Sequence, residues 1–340
     1  MGETFVTSNP VLVEATRGGS VESVHRGAFI VVDAEGHTVI EGGDAHRPVF
    51  PRSAVKLIQA LPLIESGAAD AYRFDNKALA LACGSHSSEP DHVSLAGAML
   101  SAAGLNPAHL ECGAHWPLFR RDDLIAFARE GGEPTPLHNN CSGKHAGLLC
   151  TCAYEGVEPN GYISPDHAAA STMRDALQEV TGYPHGPDNM GVDGCGLPNW
   201  AVPLDKLAQA YARLGTGQGL DASRAKAASR LLAATMAEPW FVAGTKRFDT
   251  VLMEAAPQGV HVKTGAEGVY CASVPGEGIG IALKIDDGAT RAAEVAVAAL
   301  VGRFLADNTG ERIAAMSRRV LRNWEGTVVG ELRTTEVLVS

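Results

Sequence analysis

The stretch GAFIVVDAEGHTVIEGG, Gly27 to Gly43, places two apolar runs on either side of Glu35-Gly36. Apolar runs of strand length interrupted by turn residues read as a β-hairpin. A second β-rich region, GVHVKTGAEGVYCASVPGEGIGIALKIDDG, spans Gly259 to Gly288. Its three apolar runs are separated by glycine-rich breaks at 264–268 and 275–278, the pattern of an antiparallel meander. Between these regions the texture is helical. Ser53–Ile64 begins with a serine suited to capping, and Pro62 should bend or end that helix. Asp91–Leu105, a segment opening at Ser164-Pro165 and closing at Gly182, Leu204–Leu214, Ser223–Met236 and Arg291–Asp307 follow. Proline in the first turn and glycine just past the last are the usual helix boundaries.

Strands at both ends with helices between them predict an α/β (α+β) fold. An antiparallel sheet built from N- and C-terminal strands is flanked by helices and interrupted by an inserted helical lobe. The expected boundaries are a sheet lobe at about 1–65 and 245–340 and a helical lobe at about 66–244, together one compact unit over 1–340. GTVVGEL and TEVLVS, near the C-terminus, have strand-like texture without a place in this scheme.

Composition narrows the function classes. With 45% hydrophobic and 20% charged residues, the 340-residue chain has a globular balance. A formal net charge of -11 gives nucleic-acid binding no electrostatic support. No run of about 18 apolar residues is present to span a membrane; AAEVAVAALVGRFLA is interrupted by Glu294 and Arg303. The N-terminus lacks the basic start and apolar core of a secretory signal. Seven cysteines, an odd number scattered through the chain, read as reduced thiols. Together these predict a cytoplasmic protein without membrane or nucleic-acid partners.

Four motifs could carry chemistry. Arg52-Ser53-Ala54-Val55-Lys56 is an S-x-x-K at a predicted helix start, where residues three apart share a face. A serine hydroxyl attacks only when a nearby base takes its proton, and lysine is such a base when burial depresses its pKa. The helix start would also supply N–H groups for an oxyanion. Alone, the motif reads as readily as a capping serine beside a surface lysine. Lys263-Thr264-Gly265 in the meander strengthens it, because S-x-x-K followed by K-T-G is the chain order of penicillin-binding proteins and class A β-lactamases. Their middle S-D-N element has no counterpart here, which weighs against β-lactam chemistry.

The third motif is ACGSHSSEPDH, residues 82–92, in which Ser85 sits between an apolar strand-like run and a helix. It is a second nucleophile or proton relay, or simply a turn-forming serine. The fourth pairs HNNCSGKHAG, residues 138–147, with DGCGLP, residues 193–198. Cys141 and Cys195 could hold zinc with a third ligand, for which His145 is the conventional choice; lysine must be neutral to donate. Cys150-Thr151-Cys152 reads as helix packing. His109, His115, His167 and His185 read as surface histidines, and Trp200, Trp240 and Trp324 as core or interlobe packing.

The set RSAVK, ACGSHSSEPDH, HNNCSGKHAGLL, GVDGCGLPNWAVPL and VKTGAEGVY closely resembles the rhizobial-type (zinc-binding, class 3) L-asparaginases, also described as asparaginase II, from about Val11 to Leu305. The resemblance implies a fold similar to serine β-lactamases and glutaminases. It also implies a homodimer that hydrolyses L-asparagine to L-aspartate and ammonia. It pairs Ser53 with Lys56 and Ser85 with Lys263, and sets Arg52 and Asp193 near the substrate. It implies zinc on Cys141, Lys144 and Cys195, with Lys144 rather than His145 as the third ligand and the metal positioning substrate. On these residues Ser53 is the expected nucleophile, although the two serines could exchange roles. A glutaminase or broader amidase differs by one methylene of substrate, worth only about 1–3 kcal/mol of discrimination. A zinc-stabilised amino-acid sensor without turnover is the reading from another class, and two lysine bases argue against it.

Overall fold

The computed structural model describes residues 9–117 and 121–339. The chain forms two units, one of residues 1–54, 202–219 and 262–340 and the other of residues 55–201 and 220–261. Twelve strands occur among the described residues. They are β1 Val11–Arg17, β2 Ser20–Asp33, β3 Thr38–Gly42, β4 Pro48–Val49, β5 Met190–Val192, β6 Pro198–Trp200, β7 Val202–Pro203, β8 His261–Gly265, β9 Val269–Val274, β10 Ile279–Ile285, β11 Arg318–Arg322 and β12 Val328–Thr334.

The first unit is built on an antiparallel sheet in the order β11-β12-β1-β2-β10-β9-β8, with β3 also paired to β2. The hairpin read from 27–43 is β2–β3, with Val31 opposite Ile40 and Gly36 in the left-handed region at φ 93°. The meander is β8–β9–β10, and β10 pairs with β2 over Ile279–Ile285, which closes N- and C-terminal strands into one sheet. Phe29–Val32 and most of β9 and β10 are buried without alternation, because helices cover this part of the sheet. Leu204–Thr216 packs on β2, β9 and β10, and Thr290–Gly302 on β9 and β10. Gly280 permits the first of these contacts, since a Cβ there would lie 1.9 Å from Ala208 O.

Three details of this unit depart from the sequence reading. Leu204–Thr216 belongs with the sheet rather than with the helical segment, since its apolar face is spent on β10. GTVVGEL forms β12 against β1, whereas Glu336–Val339 within TEVLVS is a short helix. Trp324, expected in packing, is 100% exposed in the β11–β12 connection.

The second unit is mainly helical. Its centre is Ser142–Glu155, buried continuously from Ser142 to Cys152. Two glycines let this helix approach its neighbours. A Cβ at Gly143 would lie 2.5 Å from Leu81 O, and one at Gly147 3.2 Å from the Ala82 Cβ. Cys150 and Cys152 are buried there as packing residues, with Cys150 Sγ donating to Met99 O at 3.3 Å. The run before Ser85 is a helix, Asn76–Ala82, capped by Asp75, whose side chain accepts from Ala78 N–H. Its Ala-Leu alternation imitates a strand, but alanine and leucine are strong helix formers. The segment begun at Ser164-Pro165 becomes helical only at Ala168, with His167 as its cap, and ends at Gly182 in the left-handed region. His185 is buried rather than a surface group. No helix among the described residues is long and apolar enough to cross a membrane.

Candidate active site

Lys56 is the second residue of the second unit, after Val55. The S-x-x-K run is not one continuous α-helix: Arg52–Val55 is a 3-10 turn, Lys56–Gln59 a single α-turn, and Leu61–Glu65 a further short helix with Pro62 in its first turn. Ser53 therefore lies inside the 3-10 turn and caps nothing; Val55 occupies the capping position with no side-chain bond. Arg52 precedes it with φ 53°, an uncommon conformation for a residue with a Cβ.

The Lys56 ammonium nitrogen is fully buried and surrounded by acceptors. Nζ lies 2.6 Å from Gly84 O, 2.9 Å from Ser85 Oγ and 3.1 Å from Cys141 Sγ. Burial is the chief force lowering its pKa; the Lys144 charge adds to that, while the Cys141 and Cys195 sulfurs oppose it. In the neutral form, two N–H bonds can go to Gly84 O and Cys141 Sγ. The lone pair then faces the Ser85 hydroxyl.

Cys141 ends the turn before the central helix, its N–H donating to the Asn139 side chain at 2.9 Å. Lys144 follows one helical turn later, and its Nζ donates to Cys195 Sγ at 3.2 Å. Cys195 sits in the turn between β5 and β6, closed by Asp193 N–H to Leu197 O at 2.9 Å and opened for the chain by Gly196 at φ 87°. Asp193 Oδ1 accepts from Gly194 N–H at 2.6 Å within the same turn. The two thiols share a hydrogen bond. It holds Cys195 down to about 4, with Lys144 assisting, and pushes Cys141 up to about 12 together with burial. Within the pair, charge is favoured on Cys195 and disfavoured on Cys141. Lys144 resists the cost of burial because Cys195, Cys141 and Asp193 favour its charge, and its pKa is raised.

The donor set suits a soft or borderline cation: two free thiols, one of which favours its thiolate form, with an amine beside them. His145 is held differently. Its Nδ1 meets Tyr162 OH at 2.6 Å, and burial lowers its pKa well below the usual value. Among the described residues, the one cluster of three histidine, cysteine or carboxylate donors close enough to share an ion is the largely exposed Asp33, Glu35 and His37, without His145 or either thiol.

Arg52, Ser53 and Lys263 belong to the first unit. Lys263 is buried on β8, and its Nζ donates to Thr264 O at 2.9 Å. The glycine of K-T-G has a steric reason: a Cβ on Gly265 would lie 2.3 Å from Pro51 O and 3.3 Å from the Ala54 Cβ. Strand β8 is thereby drawn against the turn that carries Ser53. Tyr211, buried on Leu204–Thr216, donates its hydroxyl to Ala54 O and fixes the same turn. The second unit brings Lys56, Ser85, Cys141, Lys144 and Cys195 together by hydrogen bonds, with Asp193 acting on Lys144 through charge. Sequence reading missed Gly84 O, Tyr162 and Tyr211, for which no local pattern exists.

No curated protein matches the chain. Among solved structures, it is similar to a beta-lactamase from Mycobacterium bovis at 13% identity and TM-score 0.39, over 79% of this chain and 89% of that one. It is also similar to Mglu in its native form, at 16% identity and TM-score 0.36, over 80% and 62%. In the presence of 4.3M NaCl, native Mglu gives 16% identity and TM-score 0.35 over 77% and 56%, so the chain spans little more than half of that structure. The L-asparaginase II family profile matches residues 13–334. The chain belongs to the L-asparaginase II family and is an amidohydrolase.

Proposed function

We propose that this protein hydrolyses L-asparagine to L-aspartate and ammonia through a serine nucleophile and a lysine base. The observation that carries the reading is the 2.9 Å contact between buried Lys56 Nζ and Ser85 Oγ. This contact, rather than the S-x-x-K spacing, is what supports Ser85 over Ser53 as the nucleophile. Neutral Lys56 takes the Ser85 proton while Oγ attacks the side-chain amide carbon. The C–N bond breaks, and the proton on Lys56 passes to the departing nitrogen, which leaves as ammonia. Water then gives a proton to Lys56 and its oxygen to the acyl carbon, and the ester to Ser85 breaks as Lys56 returns that proton to Oγ, releasing aspartate.

Cys141, Lys144 and Cys195 are the residues that would hold zinc, each deprotonated to donate. When bound, the ion would supply a fixed positive charge for positioning a substrate. Lys56 is linked to that donor set through its bond to Cys141. The reading is tested by ammonia release from L-asparagine beside the Ser85→Ala and Ser53→Ala variants. Loss confined to Ser53→Ala would return the nucleophile to the S-x-x-K serine. No release from any variant or the parent would leave the sensor reading. Running L-glutamine in parallel separates an asparaginase from a broader amidase.

A further inference from the structure

The segment 84–88, which carries Ser85, is fastened on two sides. Ser85 N–H donates to Val242 O at 2.7 Å, and Ser87 Oγ to Ala243 O at 2.9 Å. On the other side His86 N–H donates to Asn140 O at 3.1 Å, and Ser88 Oγ to His138 O at 2.5 Å. One side chain joins the same two segments. His86 is fully buried, and each ring nitrogen has a partner. Nδ1 accepts from Ser88 N–H at 3.1 Å, so the ring proton belongs on Nε2, which donates to Ser142 Oγ at 2.9 Å. Ser142 in turn donates to Leu137 O at 2.9 Å. The direction of every bond in this chain is fixed by the backbone groups at its two ends.

The ring is also held face-on. His86 stacks on His92 with centroids 5.1 Å apart and planes at 18°, and His92 stacks on Trp240 at 4.0 Å and 11°. Burial, together with His92, Lys56, His115 and His138, holds the His86 imidazole neutral.

The placement in sequence gives this bond its consequence. His86 follows Ser85, and Ser142 follows Cys141; Ser85 and Cys141 are the two side chains that Lys56 Nζ reaches at 2.9 and 3.1 Å. A bond between the two following residues therefore sets the separation of the two partners of one amine. We propose that His86, as its neutral Nε2–H tautomer, is a positioning residue that holds Ser85 against Lys56 by bonding Ser142. This rests on the Ser85–Lys56 reading above and adds a residue that acts through it without touching substrate.

The experiment compares the parent with His86→Phe, which keeps the stacked ring but loses both bonds, and His86→Gln, whose amide can restore the donor to Ser142. The expected result for His86→Phe is a kcat lowered by about ten- to a hundredfold with KM little changed, since a misplacement near 1 Å has that effect. His86→Gln should recover most of it. Crystal structures should show Lys56 Nζ and Ser85 Oγ beyond hydrogen-bond reach in His86→Phe and back in contact in His86→Gln.

Unchanged kcat in His86→Phe, or an unchanged Lys56–Ser85 contact, would overturn the proposal. So would equal losses in the two variants that follow their melting temperatures. The contact distance is read without turnover, so a parent inactive on asparagine would sink the functional reading while the crystal structures still decide this one. If His86→Phe does not fold, Ser142→Ala replaces it with the same expectations, and ¹⁵N-histidine spectra of the parent must show Nδ1 bare and Nε2 protonated.

Discussion

Lys56 Nζ and Ser85 Oγ meet at 2.9 Å across 29 residues of sequence, and the same nitrogen touches Cys141 Sγ at 3.1 Å. One buried amine thus joins the hydroxyl of the proposed nucleophile to a thiol of the candidate metal set. Lys56→Met keeps the length and apolar stem of the side chain and removes the base. Ammonia release should fall by at least about a thousandfold in Lys56→Met and in Ser85→Ala, as for other members of a nucleophile–base unit. The two losses should be grossly non-additive in the double variant. Additive losses, measured as kcat, would show that the two residues do not act as a unit.

Gly265 offers a test in the first unit. A methyl group there would press on Pro51 O from 2.3 Å, and a backbone oxygen cannot rotate away. Gly265→Ala should lower stability by about 1–3 kcal/mol. Gly276→Ala is the control, because nothing lies within 4 Å of its position and it has no left-handed φ. Urea denaturation should place the control within about 0.5 kcal/mol of the parent.

The sheet was legible in sequence because its signals are local. Apolar runs of strand length broken at Glu35-Gly36 and at 264–268 announce β2–β3 and β8–β9, and the strands cannot be buried otherwise. The glycines of K-T-G and of GIGIAL were visible as residues but not as contacts, since only the packed chain shows what a Cβ at Gly265 or Gly280 would meet. Alternation misled where alanine and leucine form the helix Asn76–Ala82. Partners distant in sequence left no pattern: Lys56 with Ser85, His86 with Ser142, Tyr211 with Ala54. The motifs named the candidate residues, and long-range packing decided which of them lie in hydrogen-bond contact.

Stability should fall on mild acidification. Burial lowers the pKa of His86 and His92 and takes His185 down to about 4, whereas an unfolded chain has imidazoles near 6.5. The unfolded state then binds more protons between those values, so stability rises with pH there. The His185 contribution is complete above about 6.5 and is lost as pH falls toward 4, and those of His86 and His92 are lost as pH falls through their own lowered values. Each imidazole adds at most about 1.4 kcal/mol per pH unit to the slope. Urea titrations at stepped pH should show this fall. His185→Gln should give a shallower slope than the parent; an equal slope would mean that His185 titrates normally when folded.

The proposed metal set separates Lys144 from His145. Cys195, whose thiol pKa is lowered, lies 3.2 Å from Lys144 Nζ, while His145 Nδ1 is engaged with Tyr162 OH at 2.6 Å. Protein prepared with zinc present should hold on the order of one ion per chain. Cys195→Ser and Lys144→Met should lose most of it, and His145→Gln should retain it. Chelation should lower the melting temperature of the parent but not of Lys144→Met, because an ion bound only to the folded state stabilises that state. Elemental analysis reads the first expectation and a thermal scan with and without chelator the second. Zinc kept by Lys144→Met and lost by His145→Gln would assign the third ligand to the histidine.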